Sequence, residues 1–170
     1  MSIPTLRDAS PADAPAVAEL ARRTFTDTFA HLYAPADLAA FLQGHSKADW
    51  RAILSDPDQA VRVAEADGVP VAYARIAPPT LPFDPRGPSL ELKQFYLLAS
   101  HHGTGLADRL MAWATAAARA RGAADLYLSV FTGNPRARRF YERHGFEVVG
   151  SYQFTVGDHR DDEHIMRLAL

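Results

Sequence analysis

His101-His102-Gly103-Thr104-Gly105-Leu106-Ala107 sits where two periodicities meet. Before it, Leu90, Leu92, Phe95, Tyr96, Leu97 and Leu98 form an apolar, strand-like run. After it, a helical pattern extends from about Leu106 to Arg121. Glycines at a strand-to-helix junction let the backbone turn tightly or left-handed, and they remove side chains that would hold a ligand off. The helix start behind them offers unpaired N–H donors and the positive end of the helix dipole. Together these make an anion site suited to a phosphate or pyrophosphate. Taken alone, a Gly-x-Gly turn is more often only a tight connection.

The rest of the chain narrows the choice. Its 170 residues suit one domain with a sizeable core, so residues 1–170 are read as a single unit. Hydrophobic residues make up 48% and charged residues 22%, which fits a globular chain rather than a disordered one. A net charge of −2 gives no large basic surface for nucleic acid. The absence of cysteine removes disulfides, thiolate metal sites and a cysteine nucleophile together. Met1 to Asp8 lacks a basic flank followed by an apolar core, and no run is apolar for long enough to span a bilayer, so the expected location is the cytoplasm, away from membranes.

Taken in order, Ile3–Arg7 reads as a first strand. Ser10, Pro11 and Asp13 make a helix start for a run through Val17, Leu20 and Ala21 towards Phe25, with Thr24–Phe29 ending or bending it. Pro35–Leu42 reads as a second helix, and the Ser46/Asp49 box starts a third that contains Trp50. Val61–Ala66 and Val69–Ile76 are strands joined by the Asp67-Gly68 hairpin signal. Ala77–Pro88 holds Pro78, Pro79, Pro82, Pro85 and Pro88 and must be a loop. Its Leu81 and Phe83 suit a lid or an active-site wall. Ser89–Leu98 is the next strand. In the helix after the glycine turn, Leu106, Leu110, Trp113, Ala114 and Ala117 share a face, and Gly122 ends it. Leu126–Phe131 is a strand, and Asn134-Pro135 caps a further helix that Gly145 ends. Phe146–Thr155 and Glu163–Leu170 read as the last strands, around a polar loop. The element order is β-α-α-α-β-β-β-α-β-α-β-β, an α/β (α+β) fold with no repeat.

In the second helix-forming motif, Asn-Pro-Arg-Ala-Arg-Arg-Phe-Tyr-Glu-Arg-His-Gly-Phe from Asn134 to Phe146, the residues Ala137, Phe140, Tyr141 and His144 share one face. Packing accounts for Ala137 and Phe140, whereas the Tyr141 hydroxyl needs a partner if buried. The glycine turn, helix and strand followed by Asn-x-x-Ala-x-x-Phe-Tyr-x-x-x-Gly-Phe resemble the GCN5-related N-acetyltransferase (GNAT) superfamily, whose members move an acetyl group from acetyl-CoA to an amine. The resemblance implies a mixed, mostly antiparallel sheet of about seven strands flanked by helices. The family's Gln/Arg-x-x-Gly-x-Gly/Ala motif maps onto His102-Gly103-Thr104-Gly105-Leu106-Ala107, with His102 in place of Gln or Arg. Thr26–Leu32 and Pro35–Leu42, with Gly150–Asp158, Asp162 and Met166, are similar to bacterial spermidine/spermine acetyltransferases of the PaiA type, which suggests a polyamine or other small amine as acceptor.

The resemblance also implies roles. The turn residues His102 to Ala107 would hold pyrophosphate. The backbone of Phe95, Tyr96 and Leu97 would lie along the pantetheine arm and thioester, and Asn134 would contact the cofactor arm. Tyr141 would stand near the sulfur as general acid. An alkylammonium of pKa ~10.4 is almost wholly protonated at neutral pH, so a base is useful. Glu91 is the first choice, because strict alternation would put it on one face with Lys93, Phe95 and Leu97; a water chain is the alternative. His31, Tyr33 and Trp50 are candidates for the acceptor side, although packing explains them equally well. Adjacent His101 and His102 make a poor metal pair. The run Asp158–His164 reads as a solvated hairpin loop whose carboxylates would attract a polycation, and Arg136, Arg138, Arg139 and Arg143 read as a mostly solvated face with one reaching the 3′-phosphate of CoA. Acetylation of a protein N-terminus or lysine, and a non-catalytic acyl-CoA-binding module, are the rival functions. Dimers occur in the family, but no interface is marked in the sequence.

Overall fold

The computed structural model describes residues 2–170. In it β1 (Thr5–Asp8) leads to α1 (Ala14–Phe29), α2 (Pro35–Leu42) and α3 (Lys47–Ser55). The hairpin β2 (Ala60–Ala66) and β3 (Val69–Ala77) follows, then β4 (Ser89–Leu97), α4 (Leu106–Ala120), β5 (Asp125–Phe131), α5 (Pro135–Arg143), β6 (Glu147–Val156) and β7 (His159–Ala169). The predicted order of elements is the observed one. The strands form one seven-stranded sheet in the order β1-β2-β3-β4-β5-β7-β6. Every neighbouring pair is antiparallel except β4 with β5.

Local chemistry explains most boundaries. The Ser10/Asp13 and Ser46/Asp49 capping boxes both form, the first across a short 3-10 turn that precedes α1. Asp67 and Gly68 take positive φ values of 53° and 79°, as a two-residue hairpin turn requires. Thr24 and Thr28 do not stop α1. Their hydroxyls donate to the carbonyls of Leu20 and Thr24 at 2.8 and 2.7 Å, which satisfies them inside the helix.

Two layers of helix cover the sheet. On one face α4 packs Leu106, Leu110, Met111, Ala114 and Ala118 against Ile76, Leu92, Leu126 and Met166. The buried stripe is thus centred one residue away from the predicted one, with Trp113 and Ala117 at its edge. On the other face α1 and α3 enclose Trp50, Val61, Val63 and Tyr73. Trp50 is fully buried, so it is a core residue and not an acceptor contact.

Two further expectations fail. The polar run at the end of the chain is not a loop: β6 and β7 are joined at Gly157 and Asp158, and residues 159–162 lie within β7. In that strand Asp161, Glu163 and Ile165 point inward, while Arg160 and Asp162 point out. The proline-rich loop is neither lid nor wall. Phe83 stacks on Tyr127 with ring centroids 3.9 Å apart, and Arg86 donates to both Asp125 oxygens at 2.8 and 2.7 Å. These contacts tie it to the paired ends of β4 and β5.

Candidate active site

The cavity begins where two strands part. β4 and β5 pair only at Ser89, Leu90 and Glu91 against Asp125, Leu126 and Tyr127. Beyond that point β4 follows β3 as far as Leu97, and β5 follows β7 as far as Phe131. The N–H and C=O groups of β4 that face the gap have no ladder partner. An ~800 Å³ cavity fills the wedge. Phe95, Tyr96, Leu97, His102, Gly103, Gly105, Ala107, Asn134 and Tyr141 all line it. Thr104 and Leu106, also expected there, do not. The Thr104 hydroxyl donates to the His101 carbonyl at 2.7 Å, and the Leu106 side chain is buried under α4.

One end of the cavity is built for an anion. Gly103 and Gly105 have φ values of +72° and +83°, so both occupy the left-handed region. Gly105 is the N-cap of α4 and supplies no side-chain cap, which leaves the first N–H groups of the helix open. Arg136 Nη1 donates to His102 Nδ1 at 3.0 Å, and His102 Nε2 donates to the Leu97 carbonyl at 3.2 Å. Arginine has no acceptor, so in this bridge His102 Nδ1 accepts and Nε2 donates. The bridge ties the glycine turn to the first turn of α5. Asn134 Oδ1 accepts from Ala137 N–H at 3.2 Å and caps α5 while it lines the cavity. Gly105→Val should weaken CoA binding roughly tenfold and lower the melting temperature. A β-branched residue at this φ costs about 1–2 kcal/mol, and its side chain enters the open mouth of the turn. Calorimetry with CoA and a thermal scan check both.

Tyr141 lies in the middle. It packs edge-on against Phe95 and Phe146, with ring centroids 6.3 and 5.8 Å away. Burial, reinforced by Glu163, pushes its phenol well above the ordinary tyrosine value.

Glu91 is not in the cavity. It is 6% exposed, accepts the Thr80 N–H at 2.9 Å and pairs with Lys93 at 3.2 Å. The alternation that put it with Phe95 and Leu97 is broken by a β-bulge. Leu92 pairs with Ile76 and Gln94 with Arg75, which leaves Lys93 as the extra residue. One inserted residue reverses the parity of a strand. Leu90 and Leu92 therefore share the α4 face with Phe95 and Leu97, while Glu91 falls with Gln94 and Tyr96.

Glu163, which sequence reasoning placed only at the edge of a solvated loop, lines the cavity from β7. It is 9% exposed, and its Oε2 has no hydrogen-bond partner among the described residues. Burial, with the Asp161 charge beside it, raises its pKa to about 8. Asp161 is held by the Tyr33 hydroxyl and by His159 Nε2, which donates at 2.9 Å. The far end of the cavity is aromatic. Phe25 stacks on Phe41 and Tyr33 with centroids 4.4 and 6.2 Å away, and Phe29 meets Phe131 edge-on at 6.4 Å. Tyr33 therefore lines the aromatic end of the cavity, while His31 does not line the cavity. Among the described residues no group of His, Asp and Glu could hold a metal ion, and no helix is long and apolar enough to cross a membrane.

Comparison with known proteins agrees with this geometry. The acetyltransferase (GNAT) family pattern matches residues 15–146. An uncharacterized N-acetyltransferase of Mycobacterium tuberculosis is 36% identical over 155 residues, covering 91% of this chain and 96% of its own. The PaiA N-acetyltransferase of Thermoplasma acidophilum, solved in complex with coenzyme A, superposes with a TM-score of 0.80 over 100% of both chains at 20% identity. The ribosomal-protein-alanine N-acetyltransferase of Brucella melitensis gives 0.74 at 25% identity, covering 98% of this chain and 99% of its own.

Proposed function

The chain belongs to the GNAT family and is an acetyl-CoA-dependent N-acetyltransferase, and from that premise we propose that it acetylates a primary amine of a small molecule by direct attack in a ternary complex. The observation that carries this reading is the buried Glu163 carboxyl, which shares one cavity with the anion-binding turn and Tyr141. The residues present fit the co-substrate. The open N–H groups of the Gly103–Gly105 turn and the start of α4 suit a pyrophosphate, and the unpaired edge of β4 at Phe95, Tyr96 and Leu97 suits the amide-bearing arm. His102 and Arg136 flank the turn, which gives His102 a positioning role. Acetyl-CoA supplies the thioester.

The chain's own groups handle the protons. Glu163, with a pKa near 8, takes the proton that the amine nitrogen loses as the C–N bond forms. The thioester C–S bond breaks, and its electron pair leaves on sulfur. Tyr141 keeps its proton at every working pH and donates a hydrogen bond to that sulfur; the thiolate then takes a proton from solvent. The unpaired N–H groups of β4 are placed for the carbonyl oxygen. The aromatic end formed by Phe25, Phe29, Tyr33 and Phe41 excludes water and supports a small acceptor.

Polyamines are one group within this class. The likeness of Thr26–Leu32, Pro35–Leu42 and Gly150–Asp158, with Asp162 and Met166, to PaiA-type enzymes supports them, whereas the inner lining carries few carboxylates to hold a second ammonium. A panel of primary amines that includes spermidine, spermine and amino acids, read by free-thiol release from acetyl-CoA, tests the reading. One or more small amines should release thiol with matching product. Thiol release only with peptide or protein acceptors would contradict it, and tight CoA binding with no responsive amine would favour the binding-module reading.

A further inference from the structure

Arg75 is a half-buried cation with no carboxylate paired to it among the described residues. It lies on β3 in the middle of the sheet, opposite Gln94, and lines the same cavity. Its Nε is buried with no hydrogen-bond partner, and its guanidinium enters none of the ion pairs among the described residues. The nearby carboxylate, Glu91, is already held by the Thr80 N–H and Lys93. The guanidinium lies 5.9 Å from the Trp50 ring centroid, over an apolar floor. His45 lines the cavity beside it, and burial together with the Arg75 charge lowers the imidazole pKa, so His45 adds a neutral hydrogen-bonding group there. The Gln94 Oε1, also buried and unpartnered, could take at most two of the five guanidinium N–H donors. Withdrawing part of a cation from water without an anion paired to it costs free energy, and the planar fork of Arg matches a carboxylate.

Arg75 also sits at the correct remove from the chemistry. Tyr73, two residues along β3, stacks on Tyr96 with centroids 6.0 Å apart. Two strand residues span ~7 Å. Tyr96 lies close enough to feel the Glu163 charge. The sequence Arg75, Tyr73, Tyr96, Glu163 therefore runs from an unpaired cation to the base along one wall, on the opposite face of the sheet from α4.

Resting on the acetyl-transfer reading above, we infer that Arg75 anchors a carboxylate on the acceptor, so that the preferred substrate is a small amine bearing a carboxylate rather than a polycation. Three acceptor series of matched length test this: ω-amino acids from β-alanine to 6-aminohexanoate, their primary amides, and the corresponding diamines. For the wild type, kcat/KM should rank carboxylate above amide above diamine. Arg75→Gln should lower kcat/KM for the amino acids by on the order of 10²-fold, the worth of a charge-assisted pair. The amides should change little, CoA affinity should be retained, and Arg75→Lys should recover part of the loss. A wild-type preference for diamines, or an equal loss for carboxylates and amides in Arg75→Gln, would overturn the assignment. The wild-type ranking needs no variant to fold. If no acceptor releases thiol, the transfer reading fails by itself. Calorimetry of 6-aminohexanoate binding to the CoA-loaded wild type then reads the anchor directly, with absence of binding counting against it.

Discussion

Glu163→Gln should lower kcat by on the order of 10²–10⁴ at neutral pH while CoA affinity stays unchanged. The glutamine keeps the size and hydrogen-bonding shape of the protonated carboxyl but cannot accept the amine proton. The pH profile separates this from a simple packing defect. In the wild type, kcat/KM should carry an ascending limb with an apparent pKa near about 8, and that limb should vanish in the variant. Stability supplies an independent readout. The Glu163 pKa is raised in the folded chain from an ordinary value of 4.5 to about 8. Between those limits the native state holds a proton that the unfolded chain has released, so its contribution is fully present below pH 4.5 and lost as pH rises through 8. Glu163→Gln should thus gain thermal stability relative to wild type as the pH goes from 5 to 8. Equal melting-temperature differences at both ends would mean that Glu163 is ionised in the native state at neutral pH.

Tyr141→Phe should lower kcat by on the order of 10²-fold with little change in stability. The ring keeps its contacts with Phe95 and Phe146, so the loss would isolate the hydroxyl. Because the phenol stays protonated, the defect should be independent of pH between 6 and 9, unlike that of Glu163→Gln, a range below the ordinary tyrosine pKa of about 10. A kcat equal to wild type would remove Tyr141 from the reacting centre and leave it as a packing residue.

The framework of the fold was legible because its boundaries are punctuated by local chemistry: the Ser10 and Ser46 boxes, Asp67-Gly68, the glycine turn and Asn134-Pro135. Helical spacing put Tyr141 on one face with Ala137 and Phe140, and the family resemblance implied its place beside the cofactor. The proposed base, Glu163, did not follow, for two reasons that lie beyond local sequence. The Lys93 bulge arises from the pairing of β4 with β3, and no composition signal in Glu91-Leu-Lys-Gln-Phe-Tyr-Leu97 marks it. Glu163 sits in a run of charges that resembles a solvated loop until the register of β6 on β7 turns alternate residues inward. Arg75 was silent for a similar reason. A single arginine in Val-Ala-Tyr-Ala-Arg-Ile-Ala looks like the polar side of a strand, and only the sheet order places it in the middle, under α1. The wedge itself comes from two strands that pair at one end and follow different partners at the other, a property of the whole sheet.

In the proposed reaction the acetyl group passes directly to an amine within this wedge. Intact-mass analysis of the protein mixed with acetyl-CoA, followed in parallel with free thiol and with and without a responsive amine, tests it most directly. Direct transfer releases thiol only when amine is present, in equal amount to acetylated amine, with the protein mass unchanged. Thiol released without amine, accompanied by a protein heavier by one acetyl group, would contradict it.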